Sequence, residues 1–157
     1  MFSPEALKEA NQLLERYPIK MNALMPMLHL AQNANEGYLT SDWLKAVADL
    51  CEVSPTHVEG VATFYTMFKF KKPGKYHLQI CTNISCGLCG GDEILEDIEG
   101  KLGIHAGETT EDGKFSIEEV ECLGACGYGP AAIVNTDYHE RLTVESFNKV
   151  VDELAKK

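Results

Sequence analysis

The chain has 157 residues, enough for one ordinary domain or for a small domain with a helical extension, and its 45% apolar and 24% charged content marks a folded protein and not a disordered one. The net charge of −10 falls wholly after Lys75, where six basic residues face sixteen acidic ones, while the first part balances eight against eight. Such an acidic surface repels phosphate backbones and argues against nucleic-acid binding, and no apolar run approaches the roughly 20 residues that cross a bilayer.

Ser3-Pro4-Glu5 places a capping hydroxyl, a proline and an acid at the start of a first helix, with Ala6, Leu7, Ala10, Leu13 and Leu14 as its apolar stripe and Pro18 beyond its end. A second helix is predicted over about Met21 to Asn33, with Leu24, Met27, Leu28 and Ala31 inward, Pro26 tolerated near its first turn, and Gly37 closing it. Met21, Met25 and Met27 read as core filler. Thr40-Ser41-Asp42 starts a third helix through Val47 and Leu50, and Ser54-Pro55 a short fourth one leading into GVATFYTMF. Residues 1–70 therefore read as a helical domain, and Lys69 to Lys75 as a solvated connector.

From there the period changes. Tyr76, Leu78 and Ile80 alternate with His77 and Gln79, a strand that delivers Cys81 at its end. Ile94, Leu95, Ile98 and Leu102 mark a helix that begins at Cys86, so that Cys89 falls one turn inside it. Phe115, Ile117 and Val120 suggest a second strand, Ala131 to Val134 a third, and Glu140 to Leu142 a fourth; Thr143 caps a last helix through Phe147, Val150, Val151 and Leu154. The order β-α-β-β-β-α over 71–157 describes a small α/β domain.

The start MFSPEALKEA lacks the basic residues and apolar stretch of a secretory signal, so a soluble cytoplasmic protein is expected. Six cysteines in a reducing compartment point to metal or redox chemistry instead of disulfides. Cys51 lies in a helical pattern and reads as a buried inert thiol. The other five fall in CTNISCGLCG, 81–90, and in Cys122-Leu-Gly-Ala-Cys126-Gly-Tyr-Gly-Pro130. Cys86-Gly-Leu-Cys89 is a possible dithiol pair, but that reading leaves Cys81, Cys122 and Cys126 without a role. Plant-type iron–sulfur ligation would use Cys81, Cys86 and Cys89 with one distant cysteine; a third arrangement pairs Cys81 and Cys86 with Cys122 and Cys126, two thiols from each loop. Structural zinc prefers C-x2-C knuckles, and a Rieske centre needs histidines beside the cysteine pairs, where there are none. Two ferric ions, two sulfides and four thiolates carry about −2, and about −3 when reduced. Helix N–H groups at Cys86, close approach at Gly87, Gly90 and Gly91, and the hydroxyls of Thr82 and Ser85 are the expected donors to that charge.

GVATFYTMF at 60–68, CTNISC at 81–86, CLGAC at 122–126 and Pro-x-x-x-Val-Asn from Pro130 to Asn135 together resemble the family of 24-kDa subunits of respiratory complex I, thioredoxin-like [2Fe–2S] proteins, over nearly the whole chain. Cys89 and the Gly-Tyr-Gly before Pro130 depart from the pattern. The resemblance implies a helical bundle followed by a thioredoxin-like ferredoxin domain with a small mixed sheet, one [2Fe–2S] cluster, and Cys81, Cys86, Cys122 and Cys126 as its ligands. It further implies a one-electron carrier within NADH:quinone oxidoreductase, the enzymatic activity belonging to the complex. FMN and NADH would lie on a partner flavoprotein subunit, beside other peripheral-arm subunits at the cytoplasmic face of a membrane-bound complex. The equivalent diaphorase subunit of an NAD-linked hydrogenase or formate dehydrogenase, and a free-standing ferredoxin, are the rival expectations.

Overall fold

The computed structural model describes residues 2–157 and divides the chain into two compact units, one through Lys72 and the other from Pro73. In the first, α1 (Pro4–Glu15) begins where the Ser3 hydroxyl accepts the Ala6 N–H at 3.2 Å, a cap that contributes about 1 kcal/mol. A 3-10 turn, Lys20–Ala23, precedes α2 (Leu24–Ala34), so the second helix begins three residues later than its pattern suggests, with Pro26 in its first turn. Then follow α3 (Ser41–Cys51) and α4 (Pro55–Phe64). Their shared core contains Ala10, Leu24, Met27, Leu28, Ala31, Trp43, Val47 and Val58. Of the methionines expected inside, Met27 is fully buried but Met21 is exposed. Leu7 of the predicted stripe is also exposed. The segment expected to be a solvated connector is tied down at its start: the Lys69 N–H donates to Gln32 at 2.7 Å, the Lys69 carbonyl accepts from Leu39 at 2.7 Å, and Lys72 pairs with Glu36.

The second unit is built on four strands: β1 (Tyr76–Cys81), β2 (Phe115–Val120), β3 (Ala132–Val134) and β4 (Asp137–His139). Their order across the sheet is β2-β1-β3-β4, with β1 and β2 parallel and the other pairs antiparallel. The chain crosses from β1 to β2 through α5 (Ile84–Leu88) and α6 (Gly91–Leu102), and ends in α7 (Val144–Ala155). One sheet face carries Leu78, Ile80, Ile117, Ala132 and Val134, and packs on Ile94 and Ile98 of α6 and Phe147 and Val151 of α7. On the alternate positions His77 bridges Ser116 at 2.7 Å and Glu118 at 2.8 Å, so its ring serves packing and hydrogen bonding. This mixed α/β architecture is the expected class.

Two local predictions require correction. The single helix from Cys86 to Leu102 is two helices, because Gly90 adopts a left-handed conformation (φ 100°) that no right-handed helix passes through. Cys86 therefore lies in the first turn of the short α5, and Cys89 caps its end instead of sitting inside a long helix. The fourth strand runs over Asp137–His139 and not over 140–142: Val134 pairs directly with Asp137 across a two-residue turn, where Asn135 takes a positive φ of 57°.

Candidate metal centre

Parallel pairing brings the cysteines together. Cys81 is opposite Val120 at the end of the β1–β2 ladder, so the C-terminal ends of both strands open at one edge of the sheet. One continues into the segment holding Cys86, the other into the loop holding Cys122 and Cys126. Had the strands been antiparallel, the two loops would have left from opposite ends.

Cys81 and Cys86 are each 2% exposed. The Cys81 N–H donates to the Ala131 carbonyl at 3.1 Å, and Asn83 caps α5 by accepting the Ile84 N–H at 2.7 Å, which fixes the turn carrying Cys86. Gly91 packs against both: a Cβ there would lie 2.6 Å from the Cys81 carbonyl oxygen and 2.9 Å from that of Cys86. Gly129 approaches from the second loop, where a Cβ would come to 3.2 Å from Cys86 Sγ. Cys122 and Cys126 are exposed, Cys126 opening a 3-10 turn that ends at Tyr128. Gly124, at φ 75°, turns its N–H to Cys122 Sγ at 3.3 Å.

All four of these thiols line one cleft of about 260 Å³, with Asn83, Ile84 and Ser85. Burial pushes the Cys86 thiol up, aided by the Cys81 thiol beside it and by Cys126, against a lowering hydrogen bond from the Ala131 backbone. The hydrogen bond and charge of Cys122 push up Cys126, with burial and Cys81 adding to them. Among the thiols, Cys81 thus acts most on Cys86 and Cys122 most on Cys126, with smaller effects between Cys86 and Cys126 and between Cys126 and Cys81. Thiols that oppose one another's ionisation in this way suit a cationic core, which removes the repulsion. Among the described residues no group of three or more His, Cys, Asp or Glu is disposed around a single metal ion. A two-iron centre held by two thiolates per iron would require none. The donor set and the space therefore fit a two-iron, two-sulfide centre.

The remaining cysteines stand apart. Cys89 is exposed and does not line the cleft, and Cys51 is buried in the helical core, where desolvation raises its thiol pKa. The expected hydroxyl donors to sulfur go elsewhere: Thr82 Oγ1 donates to Glu119 at 2.6 Å and Ser85 Oγ to the Cys126 carbonyl at 3.4 Å. A backbone N–H takes their place at Cys122, from Gly124. Sequence reasoning missed Ala131 and also Tyr138, which touches the second loop only because the β3–β4 hairpin folds it back. No spacing in the chain signals either contact.

A family model described as thioredoxin-like [2Fe–2S] ferredoxin matches residues 10–155. Among curated proteins, the E subunit of the NADH-quinone oxidoreductase of Rickettsia felis is 44% identical over 154 residues, 97% of this chain and 92% of that protein. The mitochondrial NADH dehydrogenase [ubiquinone] flavoprotein 2 of Dictyostelium discoideum is 40% identical over 155 residues, 98% of this chain and 63% of that one. Among solved structures, an NAD+-reducing [NiFe]-hydrogenase in the H2-reduced state superposes with a TM-score of 0.74 at 19% identity, over 85% of this chain and 22% of that chain, a likeness of fold. No described helix is long and apolar enough to cross a membrane.

Proposed function

The chain belongs to the thioredoxin-like [2Fe–2S] ferredoxin family, and on that premise we propose that it is the iron–sulfur electron-transfer subunit of the NADH-oxidising module of NADH:quinone oxidoreductase. Cys81, Cys86, Cys122 and Cys126 hold one [2Fe–2S] cluster, and the enzymatic activity is that of the whole complex. The observation that carries the ligand assignment is that these four thiols, from two segments forty residues apart, line one cleft while Cys89 does not. Near-full-length identity to the E subunit of NADH-quinone oxidoreductase favours this complex over a hydrogenase or formate dehydrogenase diaphorase, for which the likeness is one of fold at 19% identity.

A bound cluster would supply one-electron chemistry, with the FMN of a partner flavoprotein subunit that binds NADH as the proposed exchange partner. The chain's own residues hold and shield it. Ala125 and Ala131, packed against Cys81 and Cys86, keep water from this inner pair of ligands. Cys122 and Cys126 lie on the solvent side, open to a partner. In this reading residues 1–70 form a helical docking domain and 71–157 the cluster-binding domain, in the peripheral arm at the cytoplasmic face.

Native protein purified without tags and reduced with dithionite tests the proposal. About two irons and two sulfides per chain, one paramagnetic centre and a co-purifying flavoprotein are the expected results. A colourless protein, or an iron-bearing chain that purifies alone, would overturn the cluster or the subunit assignment respectively.

A further inference from the structure

Cys81 and Cys86 are fixed by core packing, whereas Cys122 and Cys126 sit on an exposed loop with glycine at 124, 127 and 129. Inside the loop the Tyr128 N–H donates to the Ala125 carbonyl at 2.8 Å, and further contacts come from outside it. One comes from Ser85, at 3.4 Å from the Cys126 carbonyl. Two come from the segment that follows β3: the Arg141 N–H donates to the Tyr128 carbonyl at 2.7 Å with its guanidinium 4.9 Å over the Tyr128 ring, and the Tyr138 hydroxyl donates to the Leu123 carbonyl at 3.0 Å.

The last of these reaches a ligand through a single peptide group. Leu123 C=O and Gly124 N–H belong to the same planar trans unit and point in opposite directions. The hydroxyl of Tyr138 holds the carbonyl end, and the N–H end points at Cys122 Sγ at 3.3 Å. Because Gly124 has no Cβ and a φ of 75°, sterics alone do not keep that peptide plane in place. Donation to the carbonyl also polarises the amide and strengthens its N–H as a donor.

We propose that Tyr138 is a positioning residue for the metal centre: through the Leu123–Gly124 peptide it aims an N–H at the Cys122 sulfur and so raises the electron affinity of the site. The inference rests on the ligand set proposed above. An N–H directed at a thiolate stabilises negative charge, and the reduced centre carries one charge more than the oxidised one, so the bond favours reduction. Tyr138 is 56% exposed, which limits its weight in the core and separates this role from a structural one.

The test uses the iron-loaded full chain as wild type, as Tyr138→Phe, which keeps the ring and removes the donor, and as Tyr17→Phe, a hydroxyl deletion in the helical unit. An EPR-monitored redox titration and the hyperfine coupling of exchangeable protons after transfer to D2O are the two readouts. Tyr138→Phe is expected to shift the potential negative, lowering the reduction equilibrium constant about three- to tenfold, and to weaken one exchangeable-proton coupling while leaving the thermal midpoint near that of wild type. Site-specific replacement of Tyr138 by a ring-fluorinated tyrosine, a stronger donor of nearly the same shape, is expected to shift the potential positive. It decides the matter should the Phe variant fail to hold iron. An unchanged potential and coupling in these variants, an equal shift in Tyr17→Phe, or a lowered thermal midpoint with unchanged potential overturns the inference. A wild-type chain without a paramagnetic two-iron centre overturns the ligand assignment instead, and this inference with it.

Discussion

Six thiols in one chain divide by environment, and each environment gives a different expected outcome on replacement by serine. Cys86→Ser or Cys122→Ser removes one thiol from the cleft and is expected to cost most of the iron, measured as iron and sulfide per chain. Cys89→Ser changes an exposed thiol outside the cleft and is expected to leave both unchanged; loss of colour in that variant alone would favour the plant-type ligand set. Cys51→Ser places a hydroxyl in the helical core and is expected to lower stability by about 1–3 kcal/mol in a denaturant titration with full iron retained. Titration of Glu99 provides a pH test. Its carboxylate accepts the Ala106 N–H at 2.7 Å and faces His105 at 3.3 Å, and its pKa is held below the ordinary 4.5, first by the Ala106 bond and then by His105. A depressed carboxylate stabilises the fold above the unfolded value and loses that contribution as pH falls through the folded one. Wild type should therefore lose stability relative to Glu99→Gln as pH falls below about 4.5, while at pH 7 the variant should be less stable by about 1 kcal/mol.

At the scale of elements, the close approach of α6 to the first cysteine segment is the feature most exposed to test. Alanine is the better helix former, by about 1 kcal/mol over glycine. At Gly91 it would nevertheless put a methyl 2.6 Å and 2.9 Å from two backbone oxygens that have no room to move. Overlap outweighs propensity, and Gly91→Ala is expected to destabilise by about 1–3 kcal/mol and to reduce iron content, read by calorimetry and iron analysis on the same sample. Gly100, in the same helix with nothing near its Cβ position, is the control, and Gly100→Ala should stabilise slightly. The helix boundaries also show how far local signals reach. Ser3, Ser54 and Thr143 act as the caps they resemble, because a cap is satisfied within three or four residues. The break at Gly90 is not readable from the apolar period of Ile94, Ile98 and Leu102, since two helices meeting at a left-handed glycine leave that period intact.

For the whole molecule, the acidic excess after Lys75 and the apolar residues beside the cleft bear on assembly. Ile84, which lines the cleft, and Leu88, one turn on along α5, are 79% and 85% exposed. Water-exposed branched side chains beside the four-cysteine cleft suit a surface that a partner covers. Leu88→Asp, outside the cleft lining, is expected to weaken co-purification with the proposed flavoprotein partner at least tenfold, an effect of about 1.4 kcal/mol or more, with iron content unchanged. In the proposed assembly, where the acidic second unit meets the partner, rising salt should weaken the wild-type complex as well.

The helical and mixed α/β halves, the position of most elements and the two cysteine groups are legible in the chain, since apolar period, capping residues and ligand spacing are all local properties. The sequence left open which four of five clustered thiols share one cleft. Tertiary structure decided that: parallel pairing of β1 with β2 sends both cysteine segments out of the same sheet edge, and the left-handed turn at Gly90 leaves Cys89 facing solvent. It also puts the N–H of Gly124, and not the hydroxyls of Thr82 and Ser85, on the Cys122 sulfur, with the Tyr138 hydroxyl of β4 donating to the adjoining Leu123 carbonyl. Contacts between residues fifteen or forty positions apart depend on strand register and chain crossover, and neither is encoded in the spacing of any one segment.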